Sequence, residues 1–181
     1  MFTNKEEILK LIEEANKNSF NKEIFSKFKK LNIERTEFYI NLQELEEILK
    51  WKLRNQYGRQ KTKRKINTDE NIKLITKTAF SIKHNDKEYE TKLKLKTLSL
   101  IYGVEIPVAS AILTICFPTK YSIIDFRNWR QVYKTEIKKT TYSTSEYLDY
   151  MKEIKVLAKK YEMTTQEIDV AIWQKDINEN G

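Results

Sequence analysis

Only five of the 181 positions, Gly58, Gly103, Pro107, Pro118 and Gly181, carry a residue that interrupts or redirects a helix. Glycine and proline are the strongest punctuators of local structure, and folds built from many short strands use them at nearly every turn. With so few, the chain reads as helices of ordinary length joined by short polar connections, and its apolar residues recur mostly at helical intervals. The expectation is therefore all-α: a compact multi-helix domain over residues 1–181, formed as one unit or as two helical lobes sharing a core. A chain of this length buries such a core without a metal or disulfide.

Individual helices follow from caps and stripes. Thr3 with Glu6 suggests a capping box for a first helix over 3–17, with Ile8, Leu11, Ile12 and Ala15 inward. Asn21 is placed to cap a second helix carrying Ile24, Phe25, Phe28 and Leu31. Asn41 with Glu44 opens a third, which carries Leu42, Leu45, Ile48 and Leu49 and delivers Trp51, Lys52 and Arg54 at its C-terminal end. Asn67 or Thr68 begins another, with Ile72, Ile75, Ala79 and Ile82 on one face, ending near His84. Residues 91–102, TKLKLKTLSLIY, alternate like a strand at Leu93 and Leu95 but fit a helix through Leu95, Leu98 and Tyr102. With no second strand candidate to pair with, helix is the reading. Gly103 ends it, Pro107 suits position N1 of the next helix, and residues 108–117 are apolar on all sides, which marks a central helix. Beyond Pro118, Asp125 is placed to cap a helix bearing Phe126, Trp129, Tyr133 and Ile137. Helices from Thr144 or Ser145 and from Thr164 or Thr165 complete a set of eight or nine, without internal repeat.

Cys116 is the only cysteine, so neither an intramolecular disulfide nor a cysteine-ligated zinc or iron–sulfur site is possible. No apolar run is long enough for a membrane span and the N-terminus lacks a signal-peptide core, so a soluble cytoplasmic protein, a monomer without cofactor, is expected. The net charge is +8 and the isoelectric point about 9.3, which favour a polyanionic partner. Location sharpens this: RNQYGRQKTKRK, residues 54–65, holds six basic residues and no acidic one. Such a run is either a nucleic-acid contact or a solvated loop.

The segment LSLIYGVEIPVASAILTICFPTKYSIIDFRNWRQVY, residues 98–133, joins a helix, a glycine turn, an apolar helix and a short extended piece ending in aspartate. It resembles the helix-hairpin-helix DNA glycosylase superfamily, which includes endonuclease III, the adenine-mismatch glycosylases and the oxoguanine glycosylases. Ile101, Tyr102, Gly103, Val104, Ala109 and Asp125 carry the match; the hairpin covers about 98–116 and the aspartate segment 121–130. Two letters depart from the pattern: Tyr102 stands for a proline, and Glu105 for the second glycine that lets the hairpin approach phosphate. The resemblance implies that Asp125 is the catalytic carboxylate. Pro107, eighteen residues earlier, stands where bifunctional members carry a lysine nucleophile, which implies hydrolysis by water without a Schiff base or lyase step. An amine, if used, would come from elsewhere, such as Lys52 or Lys120.

On this resemblance the partner is double-stranded DNA. Gly103, Val104, Glu105, Ile106 and Pro107 would face a phosphate, with Lys52, Arg54, Arg59 and Arg127 as further DNA contacts. Trp51, Tyr57 and Trp129 are candidates for the pocket of a flipped base, and equally for the core. The carbonyls of Ser99, Ile101 and Glu105 are a possible monovalent-ion site; no other metal is called for. Asp125 reads independently as a plain N-cap, His84 as solvent-exposed, and Glu167 and Asp169 as first-turn acids favoured by the helix dipole. Three functions follow: a monofunctional DNA N-glycosylase acting on a damaged, mispaired or modified base, in repair or in defence against phage DNA; a non-catalytic DNA-binding module of the same build; and a helical protein-interaction domain. Only the first requires Asp125.

Overall fold

The computed structural model describes residues 1–17, 19–136 and 138–181, with residues 19–21 and 60 described by their backbone alone. The chain runs α1 (Lys5–Ala15), α2 (Ser19–Glu34), α3 (Leu42–Leu53), a 3-10 stretch (Arg54–Gln60), α4 (Lys61–Arg64), α5 (Asp69–Ser81), α6 (Lys87–Leu98), α7 (Ile106–Cys116), α8 (Phe126–Tyr133), α9 (Thr144–Tyr161) and α10 (Thr165–Asn180). Among the described residues there is no strand, so the fold is all-α.

Caps set most of the helix starts. Asn41 with Glu44, Ser143 with Glu146 and Thr164 with Glu167 form capping boxes at α3, α9 and α10. Each cap contributes about 1 kcal/mol. Helix α1 is capped by Asn4 rather than Thr3, because the Asn4 side chain accepts the Glu7 amide while Thr3 packs its own amide and hydroxyl on the Glu7 carboxylate. Helix α2 begins at Ser19, two residues before Asn21, whose side chain lies outside the described residues. Helix α5 stops at Ser81, three residues before the exposed His84.

One apolar cluster extends from Phe2 to Ile172 and receives side chains from most of the helices. Helix α7 lies at its centre: Val108 through Cys116 are all buried, and α2, α3 and α6 pack around it. Helix α10 gathers α1, α8 and α9. The ambiguous stretch before Gly103 is helix α6, with Thr91, Lys94, Leu95 and Leu98 on its buried face.

Two local expectations are corrected. The basic run 54–65 is folded rather than a loop, as the 3-10 stretch and α4. Arg64 is its anchor: the side chain is buried, its guanidinium lies 4.5 Å over the Tyr57 ring, it donates to the Tyr57 carbonyl at 2.8 Å, and it pairs with Glu46 of α3. Helix α8 turns a mixed face inward, with Trp129 and Val132 partly buried against the core. It ends at Tyr133, where Lys134 adopts a left-handed conformation, and Ile137 lies outside the described residues. Its buried residues are Asn128 and Gln131, which meet carboxylates of α10.

Candidate active site around Asp125

The segment before Asp125 is clamped from three helices. The Ile124 amide donates to Ser110 of α7, the Ser122 hydroxyl to the Thr165 carbonyl of α10, and the Tyr147 hydroxyl of α9 to the Ser122 carbonyl, at 3.2, 2.8 and 3.0 Å. Tyr121 through Ile124 are buried, so the chain emerges at Asp125 in a fixed direction. Asp125 then caps α8. Its Oδ1 accepts the amides of Arg127 and Asn128, both at 3.1 Å, which leaves Oδ2 facing Lys52 Nζ at 3.0 Å. The pair is largely shielded, with side-chain exposures of 11% for Lys52 and 21% for Asp125.

This ion pair forms part of the wall of a cavity of about 790 Å³, within the range of ligand pockets. Trp51, Lys52 and Arg54 enter it from α3 and the adjoining turn, Phe126, Arg127 and Asn128 from α8, and Asp169 and Trp173 from α10. Arg54 lies 5.0 Å over the Trp173 ring and holds a φ of 46°, an unusual backbone state for a residue with a Cβ. Arg127 pairs with the buried Asp176 at 2.9 Å, alongside Arg130.

Below the ion pair lies a polar cluster. Asp169 is buried, and its Oδ1 accepts from Asn128 Nδ2 at 2.5 Å and from the Tyr150 hydroxyl at 3.0 Å. Burial first, and then the neighbouring Asp125 charge, push its carboxyl up to about 7, with Lys52 pulling the other way. Asn128 Oδ1 is buried without a hydrogen-bond partner. A carboxyl raised to about 7, an amide and a charged pair thus sit together against one cavity.

The structure brings together Asp125, Lys52, Arg54, Arg127 and Trp51, but not the other candidates. Tyr57 lies outside the cavity lining: its hydroxyl donates to Glu46 and its ring carries Arg64. Trp129 is also outside it, with its ring centroid 4.1 Å from that of Tyr133 and 5.3 Å from that of Tyr142. Arg59 is exposed on the 3-10 stretch and does not line the cavity. Trp173, Asn128 and Asp169 do line it, although the sequence marked Asp169 only as a first-turn acid.

At the turn between α6 and α7, Gly103 has φ 82°, a conformation that favours glycine. Asn67 fixes this turn by a pair of bonds to the Tyr102 backbone, 3.0 Å to its carbonyl and 3.1 Å from its amide. Val104 is buried, and its amide donates to the Ile101 carbonyl. Glu105 is the exposed N-cap of α7, and Pro107 is the second helical residue rather than the first. Pro107 has no amide and Val108 donates to Glu105, so Ile106 supplies the first-turn N–H without an intrahelical partner. The carbonyls of Ile101 and Glu105 already accept backbone amides, so an ion at Ser99, Ile101 and Glu105 would share two of its three oxygens.

No group of three or more His, Cys, Asp or Glu suited to a metal occurs among the described residues, and no helix there is long and apolar enough to cross a membrane. No protein-family model, curated protein or solved structure matches the chain.

Proposed function

We propose that the chain is a DNA N-glycosylase that takes a damaged, mispaired or modified base out of the duplex and hydrolyses its bond to deoxyribose, leaving an abasic site. The observation that carries this reading is the placement of Asp125: a carboxylate locked at a helix N-terminus, one oxygen turned to a cavity that has tryptophan and arginine in its walls. Extruded bases are held by stacking on aromatic rings and by cations, which Trp51, Trp173 and Arg54 supply.

Breaking a base–sugar bond develops positive charge on the sugar, as in glycoside hydrolysis. A preorganised carboxylate stabilises that charge without reorganising at the moment of reaction. Two helix amides hold Oδ1, so Oδ2, paired with Lys52, is the oxygen that would face the sugar or orient the attacking water. The exposed cations of the 54–65 segment supply duplex affinity, and the residues around Gly103 a further backbone contact.

The test is excision from duplexes carrying a panel of lesions and modified cytosines, with abasic sites revealed by alkali. Excision by the parent, lost in Asp125→Asn with duplex binding retained, is the expected result. One observation favours a second reading, a DNA-binding module without catalysis: both carboxylate oxygens already have partners, two amides and an ammonium. Binding without excision of any base is the outcome that would select it.

A further inference from the structure

We infer that the cavity beside Asp125 is a groove for an unpaired DNA strand, with helix α2 as the wall that holds its phosphates. The inference rests on the reading that the cavity receives DNA, but not on base excision itself. Lys22, Ser26 and Lys29 of α2 line the cavity. Spacings of four and then three residues put them on one helix face, with the two lysines about 10 Å apart along the axis. Helix α2 has four lysines, and the cavity divides them. Lys27 and Lys30 do not line it, and they pair with Glu47 and Glu34. Lys22 and Lys29 do line it; they are exposed and make no ion pair among the described residues.

The other cations of the lining are engaged: Lys52 with Asp125, Arg127 with Asp176, and Arg54 over the Trp173 ring. Of the acids, Asp125 is paired, Glu167 is held in the capping box of α10, and Asp169 is buried. Two uncompensated ammonium groups on one wall of a cleft therefore focus its field on an entering anion.

Other helices supply surfaces for bases. Trp173 is half-buried and stands outside the apolar core cluster, with Arg54 5.0 Å over its ring. Trp51 and Phe126 line the same space. A cationic wall that follows the backbone, together with aromatic rings on which bases stack, is the recurring arrangement of single-strand binding, and arginine on such a ring adds to it. Bases inside a paired duplex do not reach these rings unless they are extruded, whereas an unpaired base is presented at the least cost. The remaining exposed cations of the basic segment, Arg59, Lys61, Lys63 and Lys65, lie outside the cavity lining and form a separate surface. The substrate class that the groove fits is thus an unpaired stretch of DNA.

The test is binding of the full chain to a fluorescein-labelled oligothymidylate of about 20 nucleotides. An undamaged duplex of equal length is measured beside it, both by fluorescence anisotropy over a range of salt. Lys22→Gln combined with Lys29→Gln is expected to lower the log–log salt slope for the single strand by about 1.4, at roughly 0.7 per contact, and to leave the duplex slope unchanged. The paired lysines are the control: Lys27→Gln combined with Lys30→Gln is expected to move neither. Trp173→Ala is expected to weaken oligothymidylate binding about 10-fold or more with duplex binding retained. Trp173→Leu, which keeps an apolar side chain, is expected to do the same, so that a folding defect in one variant does not decide the result. No binding of the parent to the oligothymidylate, an unchanged single-strand slope in the Lys22/Lys29 variant, an equal effect of the control pair, or an equal loss on the duplex overturns the inference. Excision from duplexes without oligothymidylate binding would overturn it while leaving the glycosylase reading intact. Oligothymidylate binding through Lys22 and Lys29 without excision of any base supports it and counts against that reading.

Discussion

Replacing Asp169 with asparagine separates the charge of the buried cluster from its shape. Asp169 is 4% exposed, and both donors to its Oδ1, Asn128 Nδ2 and the Tyr150 hydroxyl, are neutral. An asparagine keeps an oxygen there for both bonds and removes the ionisation. In the unfolded chain the carboxyl titrates near 3.9; in the fold, burial and the Asp125 charge raise it to about 7. Between those values the native state holds a proton that the unfolded state has released, so stability falls as pH rises through that window. The cost of ionising Asp169 is absent below about pH 4 and fully present above about pH 7. A shift of roughly three units corresponds to an upper bound on the order of 4 kcal/mol. For a domain of this size that is on the order of 10 °C in Tm. Guanidinium unfolding of parent and Asp169→Asn between pH 5 and 8 measures the effect. The difference between the two curves cancels the other carboxylates, including Glu7 and Glu146, which hydrogen bonds from Lys175 and Lys139 first of all hold at about 2. The variant is expected to gain on the parent with rising pH and to exceed it at pH 8. Parallel curves, or a variant that falls further behind toward pH 8, would refute the account of a buried carboxyl kept neutral by its surroundings.

Asp125→Ala is expected to lose about 1 kcal/mol more stability than Asp125→Asn, because asparagine caps α8 nearly as well as aspartate; chemical unfolding of the two variants compares them. Arg59, Lys61, Lys63 and Lys65 are the exposed cations of the basic segment beyond Arg54. Changing all four to glutamine is expected to reduce the log–log salt slope of duplex binding by about 3 to 4, and an unchanged slope excludes the segment from the interface. Arg54→Gly relieves a left-handed φ and is expected to raise stability by up to about 1 kcal/mol while weakening duplex affinity, measured by melting and by titration. Asn67→Ala removes both bonds to the Tyr102 backbone and is expected to cost about 2 kcal/mol in chemical denaturation.

The fold class was legible because helix breakers are a local signal and this chain has so few. Caps were legible to within a residue for the same reason: Asn41, Thr164 and Asp125 act within three positions of themselves. What was hidden is what depends on distant partners. Residues 54–65 read as a loop because nothing in the run shows that Arg64 will settle between Tyr57 and Glu46. The polar residues that α8 also buries were hidden for a related reason: Asn128 and Gln131 are affordable inside only because Asp169, Asp176 and Glu179 arrive from α10. Trp129 and Tyr57 were plausible pocket residues by type, and Trp173 equally so. Only the packing of α10 against α8 decides which of them meets the cavity. Lys52 and Asp125 were each marked in the sequence, but 73 positions separate them and no spacing rule joins them.

On the proposed reading, capping and chemistry are complementary roles for Asp125, because the cap would fix the geometry that the chemistry needs. A residue selected only to start α8 uses one oxygen, and Oδ1 already does that work. The second oxygen has no need of a lysine from α3, a cavity wall, or a buried acid behind it. Each of these additions is costly: the Lys52–Asp125 pair is mostly withdrawn from water, Asp169 is pushed toward neutrality, and Asn128 leaves an oxygen unbonded. Apolar side chains of similar volume would pack the same space at least as stably. Violations of local packing logic that cluster around one cavity are the pattern expected where function opposes stability. In this chain those around Asn128, Asp169 and Lys52 meet at Asp125, whereas Arg64, with Nε and Nη1 buried without hydrogen-bond partners, lies outside the cavity.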